Sequence, residues 1–259
     1  MAGRISWIAL TPVKALALEY VDAIDVTEQG LDGDRRFFLV DDTNRLVNDL
    51  GKRRGRLQTV HAAYDEGAHT LTLRLPGGTT AAAEIELADE LTTRFHGIPL
   101  PALRAAGPWD DALSDLIEEP VRLVAPHHGG VDRRRSGAVS LLGEASLEAM
   151  AGELQVPRVD GRRFRMNFGV EGLEPHEEDS WLGRRLQVGE AVFVPQGNVG
   201  RCAITTQNPE TGAPDLDTLG ALARYRAAVE TSEPLPFGVH AAVATPGRVR
   251  VGDPVEPLS

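Results

Sequence analysis

The chain has 259 residues, 42% hydrophobic and 25% charged, values of a globular protein that buries a core as one large domain or two modest ones. Its formal charge of −11 argues against a sequence-independent nucleic-acid binder, whose footprint is basic. One cysteine excludes a disulfide framework, the first residues lack the apolar stretch of a secretory signal, and no run approaches the ~18 apolar residues of a membrane span. A reducing, cytoplasmic setting without nucleic-acid or membrane partners is the expectation.

In chain order, residues 4–13 read as a strand, and Tyr20-Val21-Asp22-Ala23-Ile24-Asp25-Val26 alternates as a half-buried one. The turn Gly30-Leu31-Asp32-Gly33-Asp34 leads to a β-rich run, residues 36–40. Residues 69–75 alternate again until Pro76-Gly77-Gly78, and residues 83–87 form another strand. Short strands separated by Gly and Pro predict a small barrel or sandwich. Residues 97–126 mix prolines with a helix over 109–118 and a strand over 121–124. The domain junction is placed there, dividing 1–105 from 106–259. A helix of good formers starts at Gly143 and runs to about Leu154. Strands are expected at 166–170, 185–188, 191–194 and 202–206, a helix at 215–229, and two closing β segments at 237–244 and 247–255. The fold class is therefore mainly β with a few helices.

Cys202 stands in Arg201-Cys202-Ala203-Ile204-Thr205-Thr206, before the turn Gln207-Asn208-Pro209-Glu210-Thr211-Gly212. By itself it is open to three readings: apolar filler, nucleophile, or one ligand of a metal held mainly by something else. Arg201 beside it favours a thiolate electrostatically. Lys14 and Lys52 are the only lysines, so 27 − 2 = 25 of the cations are arginines, several of them clustered. Such clusters suit a small anionic ligand, and they also suit a solvated surface. Arg35 follows a Gly-rich turn at a strand entrance, where its fork binds phosphate or pairs with Asp32 or Asp34. On an extended segment Arg165 and Asn167 face the same side. Ser140 precedes the helix at Gly143, as a phosphate contact or an ordinary loop serine. His127-His128 has no zinc-ligand spacing and reads as a polar loop at the rim of a site, as does the arginine-rich 131–137.

Taken in order, Leu10-Thr11-Pro12-Val13-Lys14, the stretch from Gly30 to Asp41, Arg163-Phe164-Arg165-Met166-Asn167, Glu177-Glu178-Asp179-Ser180-Trp181, the stretch from Arg201 to Gly212, and the run from Gly247 to Val255 resemble the MOSC family, and within it the branch with an N-terminal β-barrel. The resemblance implies a small N-terminal barrel packed on a MOSC β-barrel. It also implies a molybdenum cofactor (molybdopterin) between them, with Cys202 ligating the metal and Lys14, Arg35, Ser140, Arg165, Asn167 and Arg201 holding the cofactor. The implied activity is reduction of small N-hydroxylated compounds, with loss of water. A single cysteine cannot bind an iron–sulfur cluster, so electrons are expected from a separate transfer protein. The family description also extends to pyridoxal phosphate binding. Two alternatives stay open: a persulfide carried on Cys202 beside Arg201 for sulfur transfer, or a non-catalytic cofactor carrier, both kept by the departures at Ala15 and Leu50. Departures from the family pattern are Ala15 for serine, Met166 for proline, the intervening Asn48-Asp49-Leu50, and no cysteine or serine in Gly197-Asn198-Val199-Gly200.

Overall fold

The computed structural model describes residues 3–50, 53–127, 129–132 and 137–258. Among them strands dominate, with α-helices at Pro108–Ile117, Glu144–Leu154 and Thr218–Tyr225 and a few 3-10 turns, the mainly β class expected.

The second part of the chain closes into a seven-strand barrel. Around the ring, Phe168–Glu171 pairs Val139–Gly143, then Val239–Thr245, Ala191–Asn198, Leu186–Val188 and Pro254–Pro257 follow. The gap is closed by Gly3–Leu10, which pairs Pro254–Pro257 on one edge and Phe168–Glu171 on the other. The barrel therefore needs a strand more than a hundred residues upstream of its neighbours. Inward residues of these strands, among them Ile5, Ile8, Leu141, Phe168, Val188, Phe193 and Val255, are buried as one cluster. Successive side chains of a strand point to opposite faces, so every second residue is available to that inner packing.

Beyond Glu19–Val21, which extends the barrel sheet, and Ala23–Thr27 with Gly30–Leu31, which share a sheet with Gly247–Arg250, the N-terminal strands form two sheets around one core. Glu86–Phe95, Ile98–Ala106, Arg122–Pro126, Phe38–Val40 and Leu46–Val47 make the larger; His61–Asp65, Thr70–Arg74 and Thr80–Glu84 make the smaller. Helix Pro108–Ile117 seats the fully buried Trp109, Leu113 and Ile117 against Leu57, Leu71 and Leu123.

Several elements differ from the sequence expectation. Residues 20–26 are two strands, because the chain changes sheet at Asp22: Glu19–Val21 pairs the opening strand, while Ala23–Thr27 pairs Gly247–Arg250. The long hairpin 86–106 is hidden in the sequence by Pro99 and Pro101. These prolines face only the Glu86–Phe95 partner, and pairing to Arg122–Pro126 begins after them at Ala102, so the second edge needs no donor from either ring nitrogen. Residues 202–206 are not a strand: Ala203–Thr206 is a 3-10 turn, and the Cys202 carbonyl accepts from the Thr205 amide and hydroxyl, both at 3.1 Å. Ser140 lies within a barrel strand rather than a loop. The helix expected over 215–229 spans only Thr218–Tyr225, started by Asp217, whose side chain accepts from the Gly220 amide.

Candidate functional site

Two N-terminal elements and two barrel loops converge on the segment Gly161–Asn167. A 3-10 turn, Gly161–Phe164, ends at Arg165 in the left-handed conformation, φ +52°. The segment is thus not extended, and Arg165 and Asn167 do not share a face as the spacing suggested. Their side chains run to different partners. Arg165 Nη2 donates to the Leu16 carbonyl at 2.7 Å, and Nη1 lies 3.9 Å from Asp49 Oδ2. Burial holds the Arg165 guanidinium below the ordinary arginine range, with the Asp49 carboxylate opposing that shift.

Asn167 is fully buried and ties three elements together. Its Nδ2 donates to the Ala9 carbonyl at 3.2 Å and to Asp34 Oδ2 at 3.1 Å, and its Oδ1 accepts from the Ser140 hydroxyl at 3.1 Å. Asp34 also accepts from the Thr11 amide (3.0 Å) and from Arg35 Nη1 (2.6 Å). Arg35 then reaches back with Nη2 to the Arg165 carbonyl at 3.0 Å. Arg35, Ser140, Arg165 and Asn167 are therefore one buried hydrogen-bonded assembly, and the pairing of Arg35 with Asp34 is present within it.

Lys14 leaves the opening segment on the outer side of this assembly. Its amine contacts the Asp132 carboxylate and lies 5.7 Å from the centroid of the Phe95 ring. Arg201 is buried on the opposite side. Its guanidinium donates to the Phe164 carbonyl at 2.9 Å, to the Phe237 carbonyl and to the Met166 sulfur, and it lies over the Phe164 ring. Burial pushes it below the usual arginine range, opposed by the adjacent Cys202 sulfur. With those acceptors engaged, Arg201 pins the loop before Cys202 to the turn at Phe164. Arg163 adds a second pin, Nη1 to the Thr206 carbonyl at 3.2 Å, and pairs with Asp215.

Cys202 itself is exposed. Its loop contributes Asn198, Val199 and Gly200 to a cleft of about 750 Å³ that also contains Asp132, Gly137 and His240. Further along, Pro209 and Glu210 line a second cavity of about 300 Å³ together with Ala17, Leu18, Gln58 and Arg165. The N-terminal part docks directly on this loop. Gln58 Nε2 donates to Gln207 Oε1, and Gln207 Nε2 to the Asp49 carbonyl at 2.9 Å. Gly55 and Gly212 touch backbone to backbone, so that a Cβ at Gly55 would sit 2.1 Å from the Gly212 oxygen.

Two buried acceptors in this region, Asp49 Oδ2 and Gln58 Oε1, have no hydrogen-bond partner. Buried polar atoms are normally satisfied, so this pair beside Arg165 suits a ligand rich in N–H donors. A reduced pterin is one, and an exposed cysteine sulfur is a soft donor for its metal. The residues present fit a pterin-borne molybdenum.

The sequence reading missed Asp34 as the hub, Asp49, Gln58 and Gln207; of these Asp34 carried a signal, as the acid next to Arg35. Asp132 falls in the loop 131–137 expected at the rim, and it lines the cleft with Val131 and Gly137. Of the rim residues expected, His127 lines a separate cleft with Arg36, Tyr64 and His69. His128 and residues 133–136 lie outside the described residues. Asp179 and Trp181 support from behind: Asp179 accepts from Asn198 Nδ2 at 2.6 Å and pairs with Arg226, while Trp181 is buried.

Two family models cover nearly the whole chain: the MOSC N-terminal beta barrel domain matches residues 2–120 and the MOSC domain residues 124–256. The chain belongs to the MOSC family. Mitochondrial amidoxime-reducing component 1 of Mus musculus is 35% identical over 98% of this chain and 82% of its own length. The Homo sapiens protein of the same name is 26% identical over the same shares. Molybdenum cofactor sulfurase of Oryza sativa subsp. japonica is 36% identical, over 26% of this chain and 8% of its own. In three dimensions the chain resembles the YuaD protein of Bacillus subtilis, with a TM-score of 0.50 and 15% identity over 98% of this chain and 94% of that one, a likeness of fold alone. These relationships support an N-reductive function associated with the molybdenum cofactor at the level of the family. No helix among the described residues is long and apolar enough to cross a membrane.

Proposed function

We propose that this MOSC protein is a molybdenum-cofactor oxidoreductase that reduces small N-hydroxylated compounds, amidoxime-like among them, to the corresponding N–H products. The observation that carries the reading is the exposed Cys202 sulfur, on a loop pinned by Arg201 and Arg163 beside a cavity lined by Gln58, whose Oε1 has no hydrogen-bond partner among the described residues. When bound, the cofactor supplies two-electron reduction of the N–O bond. The chain's own residues supply the rest. Cys202 ligates the metal, and the paired pins on either side fix where its sulfur is presented. Arg165, Asp49 and Gln58 receive the pterin, the acceptors taking its N–H groups. Lys14 and Arg35 hold the anionic end, while Ser140 and Asn167 keep Asp34 and Arg35 oriented rather than touching the ligand. Arg201 acts through the loop it anchors.

The electrons come from a separate carrier, because the single cysteine leaves no ligands for a cluster. The protein works in a reducing compartment; the amidoxime-reducing components it resembles carry a mitochondrial name, and a cytoplasmic site for this chain is part of the proposal only. Pyridoxal phosphate is no part of it.

The test is molybdenum and pterin content, with amidoxime reduction by a chemically reduced viologen dye, for protein produced in a cofactor-making host. Metal near one per chain and turnover in the wild type are expected. Protein made under those conditions that holds no molybdenum and reduces no N-hydroxylated compound refutes the reading. Exposure of the thiol also favours a second one, sulfur transfer. A stable mass gain of ~32 Da on Cys202 without molybdenum, the mark of a persulfide, would select it.

A further inference from the structure

We propose that Asp132 is an internal counter-ion that occupies the anion site at Lys14 and must be displaced when a phosphate-bearing ligand enters; the inference rests on the reading of this cleft as a cofactor site. Among the described residues, each of the three cations Lys14, Arg35 and Arg165 already has its own carboxylate. Arg35 pairs with Asp34 and Arg165 faces Asp49, and both arrangements are sealed, with side-chain exposures of 8%/0% and 13%/3%. Lys14 with Asp132 is the open one, at 16% and 30%. Among the described residues, an incoming phosphate therefore meets cations that are already paired, and Asp132 is the carboxylate with an open way out.

Asp34 cannot leave, because the Thr11 amide, Asn167 and Arg35 all hold it. Among the described residues, side chains hold Asp132: Lys14 on one oxygen and, 3.9 Å away, the exposed His96 ring on the other. It sits at φ +61°, a left-handed conformation that aspartate tolerates at a cost. It lines the 750 Å³ cleft, so its exit leads into open space. Burial opposes its ionisation, but His96, Lys14 and Arg35 together hold its carboxyl well below the usual range, so it competes as a full negative charge at neutral pH. Displaced, it keeps His96 as a partner, while the phosphate takes Lys14.

Calorimetric titration of the full-length protein with inorganic phosphate tests this without the cofactor. Asp132→Asn keeps the side-chain volume and removes the charge; binding about tenfold tighter or more than wild type is expected, the effect of removing a close like charge. Asp132→Gly is the second variant, since glycine takes the left-handed backbone freely, and it must tighten binding as well. Lys14→Met weakens phosphate binding in all three backgrounds. Phosphate affinity unchanged or weaker in both Asp132 variants overturns the inference. Molybdenum content of the same preparations separates the two proposals. Loaded protein whose phosphate affinity ignores Asp132 overturns only the counter-ion. Tighter phosphate binding in the variants, with no molybdenum in any preparation, leaves the counter-ion standing and removes the cofactor reading.

Discussion

Asn167→Ala should be the most costly single truncation near the site. The side chain has no solvent exposure, and its loss removes a hydrogen bond to the Asp34 carboxylate, one to the Ala9 carbonyl and one from Ser140. A bond to a charged group is worth about 1.5–3 kcal/mol and a neutral one about 0.5–1.5, so together the loss is about 4 kcal/mol. The Ala9 oxygen is left in the barrel without that donor, which argues for the upper part of the range. At ~2–4 °C per kcal/mol for a chain of this size, the melting temperature should fall by on the order of 10 °C. Urea unfolding at pH 7.5 followed by tryptophan fluorescence, with a parallel thermal scan, measures both. Asn167→Asp makes a useful companion: it keeps the shape but places a second carboxyl against Asp34, so its deficit should shrink as pH falls and one of the two protonates. A loss below about 1 kcal/mol for Asn167→Ala would refute the argument that this amide holds the opening strand, the Gly-rich turn and the barrel in one frame.

Cys202→Ser should leave folding stability within about 0.5 kcal/mol, because the sulfur is exposed, yet abolish molybdenum retention and reduce N-reductive turnover by about a hundredfold or more; elemental analysis beside a melting curve separates the two effects. Gly55→Ala forces a methyl into the Gly212 backbone and should cost about 2 kcal/mol or more, with faster amide exchange over 203–215 as the readout. His176→Phe should make the protein more tolerant of acid. Burial, with the Arg226 charge, holds His176 at about 4, below its unfolded value near 6.5, and both ring nitrogens are buried without partners. Its neutral form favours the fold above about pH 6.5, and that stability is lost as pH falls toward 4, in part only because the ring is not fully buried. Phenylalanine keeps the ring contacts with Tyr225 and Phe237 and does not titrate. The melting-temperature gap between pH 7.5 and 4.5 should therefore narrow; an unchanged gap would assign acid lability elsewhere.

The sequence by itself determined the class and the vocabulary of the site. Alternation and turn residues made a β protein legible, good helix formers after Gly143 located a helix, and the ordered motifs from Lys14 to Gly252 named the residues that the fold gathers. Those signals are local, and local propensity and pattern are what a linear chain displays. Tertiary structure decided which carboxylate faces which cation. No local pattern pairs Asp49, Asp132 or Gln58 with a partner, because Arg165, Lys14 and Gln207 lie more than a hundred residues away. It also decided that residues 3–10 close a barrel built mostly from residues after 138, and that Arg165 turns left-handed instead of running extended beside Asn167. Pairing across such separations is selected by burial and by hydrogen-bond satisfaction over the whole fold, which no window of sequence contains.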